Sequence, residues 1–237
     1  MPDRRTELLI VMPVYNEHAA VTKVLTEWFI ELKKCSQDFI FLVIDDGSTD
    51  ETLTDLHSLR AELGERLEVL TRENRGHGQT CMQGYRIASE RAIPFVFQID
   101  SDGQCDPRFF HQFWEQRGDF DVIYGRRSRE DGIRRILASY VLRWNLRILG
   151  RVDCVDPNVP YRLMRTKACA PAYEAIPADF FLANVALAVV LRRTPGLRHG
   201  EIPIRFLKRF GGEPSVPLSK FAIKAIELVR QLKTLGP

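Results

Sequence analysis

Residues 39–50, FIFLVIDDGSTD, run from an apolar segment directly into an acidic turn, and this stretch decides the fold. The apolar part is typical of a buried strand, and the Asp, Gly, Ser and Thr residues after it are typical of a loop. Residues 8–12 and 95–99 show the same arrangement, an apolar run followed at once by Pro13 or Asp100. The sequence therefore predicts three buried strands, each ending at a polar loop.

Helical periodicity lies between the predicted strands. One apolar helix face is formed by Ala20, Val24, Leu25, Trp28, Phe29 and Leu32. We also predict a helix that ends at Leu59, a weak strand over residues 67–70 and a helix over about residues 78–91. Strands that alternate with helices indicate an α/β fold with a parallel sheet.

Polar loops follow the predicted strands at residues 13–17, 45–50 and 100–104. In open α/β sheets, ligands bind beyond the carboxyl ends of the strands, where such loops meet. We therefore expect the three loops to converge on one site.

The second half of the chain is less regular. Its predicted elements are a strand near residues 122–124, a basic amphipathic helix over about residues 133–149, a helix over about 181–192, a strand over about 201–206 and a final helix over about 218–235. The length of 237 residues suits one domain, which we place at residues 1–212, followed by a C-terminal amphipathic helix at 213–237. Basic amphipathic helices either lie in a membrane interface or pack on their own core, and the pattern fits both.

Charge is distributed unevenly along the chain. Residues 1–129 hold 16 Lys+Arg and 22 Asp+Glu, whereas residues 130–237 hold 18 and 9. A basic second half suits an anionic partner, which leaves a diphosphate, a lipid phosphate, a membrane surface and nucleic acid open. Because no helix-turn-helix, zinc-finger or RNP signature accompanies the charge, we expect no nucleic-acid partner.

The cysteines and the hydropathy indicate a cytoplasmic protein. The five cysteines are scattered and lack paired metal-ligand spacing, which is typical of reduced thiols. No apolar run reaches the length of about 20 residues that spans a bilayer, and the first residues are charged. We expect a cytoplasmic protein that attaches peripherally to the inner face of the membrane.

Asp100 and Asp102 are the candidate metal ligands. On an extended strand end, residues two apart point to the same side, so these carboxylates can share one cation, and Gln104 repeats the spacing. Mg²⁺ and Mn²⁺ favour carboxylates together with phosphate oxygens. The alternative is a polar Asp-x-Asp-Gly turn, but its place after a buried strand favours the metal site.

Two further acidic positions lie at strand ends. Asp45 and Asp46 are adjacent carboxylates, which are costly unless donors or charge offset them, and a nucleobase, ribose hydroxyls or the metal would do so. Glu17 is a candidate for hydrogen bonds to ribose or base. The alternative is that residues 45–50 cap the following helix and that Glu17 is an ordinary acid at a helix start.

In order and context, four motifs of the first half resemble those of family 2 glycosyltransferases. They are Met12-Pro13-Val14-Tyr15-Asn16-Glu17, Ile44-Asp45-Asp46-Gly47-Ser48-Thr49-Asp50, Asn74-Arg75-Gly76 and Gln98-Ile99-Asp100-Ser101-Asp102-Gly103-Gln104. The resemblance is dense over about residues 8–127. It implies the GT-A fold, nucleotide-sugar binding and inversion at the anomeric carbon.

The second half is similar to that of dolichol- or polyprenol-phosphate sugar synthases. The similarity rests on Gly125-Arg126-Arg127, Asp156 to Leu163, Glu201-Ile202-Pro203-Ile204 with Phe206 and Arg209, and Ser219-Lys220. It implies nucleoside contacts from Pro13, Tyr15, Glu17, Asp45, Asp46 and Gly76, and a metal site of Asp100, Asp102 and Gln104. It also implies phosphate contacts from Arg127, Arg135 and Arg209, with Arg134 an equal choice at the second position. The sequence departs from the family at Asn158-Val159-Pro160-Tyr161.

These features predict an inverting, metal-dependent glycosyltransferase that uses Mg²⁺ or Mn²⁺ and moves a sugar from a nucleotide-diphosphate donor. The expected acceptor is a polyprenyl phosphate or another lipid-linked molecule, with a membrane surface or membrane protein as a further partner. The alternatives are transfer to a hydroxyl of a soluble or glycan acceptor and a non-catalytic nucleotide-sugar-binding protein. His77 is expected to be a loop residue, with a phosphate contact as the alternative.

Overall fold

A computed structural model describes residues 6–36, 38–127, 156–177, 180 and 182–210. The strands are β1 (Leu8–Val14), β2 (Phe39–Asp45), β3 (Leu67–Thr71), β4 (Phe95–Ile99), β5 (Val122–Arg127), β6 (Tyr161–Arg165) and β7 (His199–Ile204). The helices are α1 (Val21–Cys35), α2 (Thr52–Leu63), α3 (His77–Glu90), α4 (Phe110–Glu115), α5 (Thr166–Glu174) and α6 (Ala183–Arg193).

The strands form one sheet in the order β3-β2-β1-β4-β6-β5-β7. β1 pairs in parallel with β2 and β4, β2 with β3, and β5 with β7. β6 is antiparallel to both β4 and β5. The predicted α/β fold with a mostly parallel sheet is therefore confirmed, with β6 as its antiparallel member.

The predicted elements of the first half are present, and three elements were not predicted. β1 continues past residue 12 to Val14, and β5 continues past residue 124 to Arg127. β6, α4 and α5 were missed. β6 reads YRLMR, so two arginines interrupt its apolar pattern, although Arg162 is fully buried and donates to the Pro157 carbonyl oxygen at 2.9 Å.

An aromatic cluster packs α1 against the centre of the sheet. Trp28 is 1% exposed, and its ring centroid lies 5.7 Å from that of Phe97 on β4 and 5.6 Å from that of Tyr161 on β6. Phe110 of α4 closes the cluster at 6.3 Å from Trp28 and 5.1 Å from Phe97. This packing fixes the strand ends from which the polar loops leave.

Several predictions fall outside the described residues. They are the helices at 133–149 and 218–235, the boundary after residue 212, and the candidate phosphate ligands Arg134 and Arg135. Within the described part of the chain, no helix combines the length and the apolar character that crossing a membrane requires.

Candidate active site

The first two loops are tied together at the carboxyl ends of β1 and β2. The backbone N–H of Asn16 donates to Ser48 Oγ at 2.9 Å, and the backbone N–H of Thr49 donates to Asn16 Oδ1 at 2.8 Å. Asn16 has a positive φ of 54°, a conformation that asparagine tolerates better than most residues. The Glu17 N–H also donates to Thr52 Oγ1 at 2.9 Å. These bonds hold the two loops as one unit.

Asp46 organises the loop that follows β3, residues 72–76. Its Oδ1 atom accepts from Arg72 Nε at 2.9 Å and from the backbone N–H of Arg75 at 3.0 Å, and its Oδ2 atom accepts from the backbone N–H of Gly76 at 2.8 Å. Gly76 has a φ of 86°, which favours glycine. Both carboxylate oxygens of Asp46 are therefore engaged by the protein, and its contact with a nucleoside stays a prediction.

Asp45 retains acceptor capacity. It is 1% exposed, and its Oδ1 atom accepts from the backbone N–H of Ser48 at 3.1 Å. Among the described residues, its buried Oδ2 atom has no hydrogen-bond partner. Buried polar atoms without partners are uncommon, so this oxygen is suited to accept a hydrogen bond from a ligand.

The acidic motif after β4 is bent. The backbone N–H of Gln104 donates to Asp102 Oδ1 at 3.0 Å, and Gly103 has a φ of 79°. The expectation of an extended strand end is therefore wrong, because Asp102 caps its own turn. Ser101 is buried, whereas the side chains of Asp100 and Asp102 are 26% and 14% exposed.

Residues 206–210, which we call the strap, run beside this motif. The backbone N–H of Leu207 donates to the Gln104 carbonyl oxygen at 2.9 Å, and the N–H of Phe210 donates to the Asp102 carbonyl oxygen at 3.1 Å. A Cβ atom at Gly103 would lie 2.2 Å from the Phe210 ring, so only glycine fits beneath it. Gln104 also turns toward the strap, with its Nε2 atom 3.5 Å from the Leu207 carbonyl oxygen.

Arg209 joins the first loop to the acidic motif. Its guanidinium lies 2.5 Å from Glu17 Oε1 and 3.7 Å from Asp102 Oδ2. The sequence predicts phosphate contacts for Arg209, whereas the structure places it between two carboxylates. The Arg209 guanidinium thus supplies positive charge between these two carboxylates.

Together the contacts close a ring. They run from Asn16 to Thr49, from Asp46 to Gly76, from His77 to Asp100, and through Arg209 from Asp102 back to Glu17. The structure thus brings together the three loops as the strand pattern predicts.

Three other predicted residues are not part of this ring of contacts. Pro13 is buried within β1, whereas Tyr15 is 43% exposed. Arg127 is ion-paired with Asp156 at 2.5 Å and lies 4.9 Å from the centroid of the Phe206 ring. The role that the sequence predicts for each residue stays a prediction.

A divalent cation fits the electrostatics of the site. Burial raises the pKa of Asp102, and the neighbouring Asp100 carboxylate raises it further. Mg²⁺ and Mn²⁺ bind through a few carboxylates plus phosphate oxygens and water. Within the described ranges, no group of three or more His, Cys, Asp or Glu residues is arranged to hold a metal. A cation held by Asp100 and Asp102 would therefore need phosphate or water oxygens to complete its coordination.

Burial raises the pKa of Glu17 to about 7 from its ordinary 4.5, with Arg209 opposing the rise and Asp102 adding to it. The folded protein therefore binds a proton at pH values where the unfolded chain does not, so the stability of the ligand-free protein falls as pH rises from about 5 to about 7. We expect the free energy of unfolding of Glu17→Gln, measured with urea, to decrease less between pH 5 and pH 8 than that of the wild type. Glu90→Gln, which removes an exposed carboxylate, is the control. If the free energy of unfolding depended equally on pH in both variants, Glu17 would not be the source of this pH dependence.

Two residues of the site were not predicted from the sequence as site residues. Arg72 anchors Asp46 and also donates to Gln83 Oε1 at 2.8 Å and to Thr80 Oγ1 at 2.7 Å. His77, expected in a loop, is the first residue of α3 and contacts Asp100. A charged residue directly after β3 was the available signal for Arg72, and the glycines flanking His77 were the signal for a close approach.

Residues 9–167 match the family described as Glycosyl transferase family 2. The chain therefore belongs to this family of enzymes, as its fold and acidic loops already indicate.

An uncharacterized glycosyltransferase of Bacillus subtilis, YkoT, is 27% identical over 233 residues, which cover 93% of this chain and 66% of that protein. An undecaprenyl-phosphate 4-deoxy-4-formamido-L-arabinose transferase of Aeromonas hydrophila is 30% identical over 160 residues, which cover 66% of this chain and 48% of the relative. The chain thus spans less than two thirds of the length of each of these relatives.

The crystal structure of glucosyl-3-phosphoglycerate synthase from Mycobacterium tuberculosis in complex with Mn²⁺, UDP and glucosyl-3-phosphoglycerate superposes with a TM-score of 0.67 at 15% identity. The match covers 98% of this chain and 81% of that one. At this identity the similarity concerns the fold alone, and that fold is the GT-A glycosyltransferase fold.

Proposed function

We propose that this chain transfers a sugar from a nucleoside-diphosphate donor to a polyprenyl phosphate or a related lipid-linked acceptor. The observation that carries the proposal is the ring of contacts, in which Arg209 ties the Glu17 loop to Asp102. A donor bound across the ring would have its nucleoside near the first two loops and its diphosphate near the acidic motif.

The first two loops supply the nucleoside contacts. The Asp45 Oδ2 atom is a buried acceptor for a donor group of the base or ribose. The exposed ring of Tyr15 offers an apolar face to the base, and Glu17 offers a carboxylate beside it. The ion pair between Glu17 and Arg209 balances that carboxylate before the donor arrives.

Asp100 and Asp102 would hold Mg²⁺ or Mn²⁺, with Gln104 beside them. Such a cation, when bound, stabilises the negative charge that develops on the departing diphosphate. Asp102 would then no longer depend on Arg209 for charge balance. The Arg209 guanidinium is thereby available to a phosphate oxygen, which it binds in the same geometry as a carboxylate.

Acceptor binding falls to the region around Arg127 and the segment from Asp156. The segment is anchored by the ion pair between Arg127 and Asp156 and by a hydrogen bond from Cys105 Sγ to the Pro160 carbonyl oxygen at 3.0 Å. A lipid monophosphate is already anionic, so arginines need only orient it for attack on the anomeric carbon from the face opposite the leaving group. The name of the undecaprenyl-phosphate relative supports this acceptor class, and peripheral attachment at the cytoplasmic membrane face would follow from it.

A partition assay tests the acceptor. The protein is incubated with a panel of radiolabelled nucleotide sugars, Mg²⁺ or Mn²⁺, and either undecaprenyl phosphate or short glycans, and the products are extracted into organic solvent. We expect label in the organic phase only with the lipid and the cation. Turnover with all label in the aqueous phase would show a hydroxyl acceptor, and an absence of turnover with every donor and acceptor would contradict the proposed activity.

A further inference from the structure

His77 and Asp100 form a contact that none of the proposed roles uses. The Nε2 atom of His77 lies 2.8 Å from Asp100 Oδ1. A carboxylate only accepts hydrogen bonds, so the Nε2 atom carries the proton and donates it. The imidazole thus holds one oxygen of a candidate metal ligand in a fixed direction.

The position of His77 is itself fixed by the loop that follows β3. Its neighbour Gly76 precedes α3 with a positive φ and donates its backbone N–H to Asp46 at 2.8 Å. On the other side of the imidazole, the Nδ1 atom of His77 lies 4.0 Å from Cys81 Sγ, one turn further along α3. Both ring nitrogens therefore face protein atoms, and the imidazole has a defined orientation although its side chain is 45% exposed.

We propose that His77 is a positioning residue, whose Nε2–H group orients the Asp100 carboxylate for the divalent cation. The inference rests on the proposed function, because it concerns the same cation. A monodentate carboxylate has one oxygen for the metal and one for a hydrogen bond, and partners of this kind fix the direction of a metal-binding carboxylate. Because these contacts connect Asp46 through Gly76 and His77 to Asp100, the order of the loop after β3 also contributes to cation affinity.

The test is a titration of the whole chain with Mn²⁺ alone, in which electron paramagnetic resonance measures free Mn²⁺. The variants are His77→Leu, which removes the donor, and His77→Gln, whose amide N–H can occupy the place of the Nε2–H. His57→Leu removes an exposed imidazole from α2 and is the matched control, while Asp102→Ala marks the site. Circular dichroism checks that each variant is folded.

We expect His77→Leu to weaken Mn²⁺ binding by about tenfold, as the loss of a hydrogen-bond partner of a metal ligand does. His77→Gln should retain most of the affinity, and His57→Leu should match the wild type. Wild-type affinity in His77→Leu would overturn the positioning role while leaving the cation site intact. Two other results would remove the cation from the proposed function and overturn the inference with it. One is that the wild type shows no saturable Mn²⁺ binding, and the other is that Asp102→Ala leaves Mn²⁺ binding unchanged.

A second readout separates a positioning residue from a metal ligand. Pulsed electron paramagnetic resonance of the bound Mn²⁺ detects nitrogen atoms coordinated to the ion. We expect no histidine nitrogen coupling in the wild type, because the Nε2–H group is occupied by Asp100. A nitrogen coupling that disappears in His77→Leu would overturn the proposal by showing that His77 binds the cation directly.

Discussion

Asp102→Ala is expected to lower the rate of sugar transfer by about three orders of magnitude. Lewis-acid stabilisation of a leaving phosphate oxygen contributes several kcal/mol, and each 1.36 kcal/mol of barrier is tenfold in rate. Asp102 also receives the Gln104 N–H and faces Arg209 at 3.7 Å, so its removal takes away both a metal ligand and a counter-charge. The measurement is release of nucleoside diphosphate from the best donor of the panel.

The matched control for this substitution is Asp119→Ala, which removes an exposed carboxylate outside the ring of contacts. We expect it to leave the rate within twofold or so of the wild type, since isolated surface substitutions have small effects. Asp102→Ala with near wild-type turnover, in a folded protein, would rule out the acidic motif as the catalytic cation site.

Trp28→Ala is expected to destabilise the fold by about 3–5 kcal/mol, the usual cost of emptying a buried tryptophan site. Trp28 is 1% exposed and contacts the rings of Phe97 and Tyr161, which belong to the paired strands β4 and β6. Because a domain of this kind has only about 5–15 kcal/mol of stability, the loss is a large fraction of the total. Urea unfolding followed by circular dichroism measures it.

Two further substitutions serve as controls for Trp28→Ala. Among the described residues, the Trp28 Nε1 atom has no hydrogen-bond partner, so Trp28→Phe loses volume but no hydrogen bond and should cost clearly less than Trp28→Ala. Ile30→Ala lies on the same helix at 52% exposure and should change stability by less than about 0.5 kcal/mol. Equal losses in Trp28→Ala and Ile30→Ala would mean that the aromatic cluster does not hold α1 on the sheet.

The strands of the first half of the chain could be predicted because their runs are short, largely apolar and bounded by turn residues. β4, for example, occupies Phe95–Ile99, the residues that the sequence predicts, with Gln98 as the one polar residue of the run. β6 could not be predicted in this way, since the buried Arg162 interrupts its pattern and is accommodated only by tertiary contacts, including the Pro157 carbonyl oxygen and the Tyr124 ring.

In the site, too, the features that local sequence patterns determine could be predicted, and those that depend on contacts between distant residues could not. The convergence of the loops follows from the parallel direction of the strands, which the alternation of strands and helices indicates. The contact between Arg209 and Glu17 joins residues 192 positions apart, and no spacing rule connects them. The bend at Asp102 likewise depends on the strap and on its Phe210 ring above Gly103, so the extended geometry expected from alternation was wrong.

Calorimetric binding of UDP and GDP, with and without Mn²⁺, to the wild type and to Asp102→Ala tests whether a cation at Asp102 assists nucleotide binding. We expect Mn²⁺ to tighten binding of at least one nucleotide by about tenfold or more in the wild type, a change of about 1.4 kcal/mol, and we expect Asp102→Ala to lose this tightening. Nucleotide affinities that do not change with Mn²⁺, or that change equally in both proteins, would contradict this expectation.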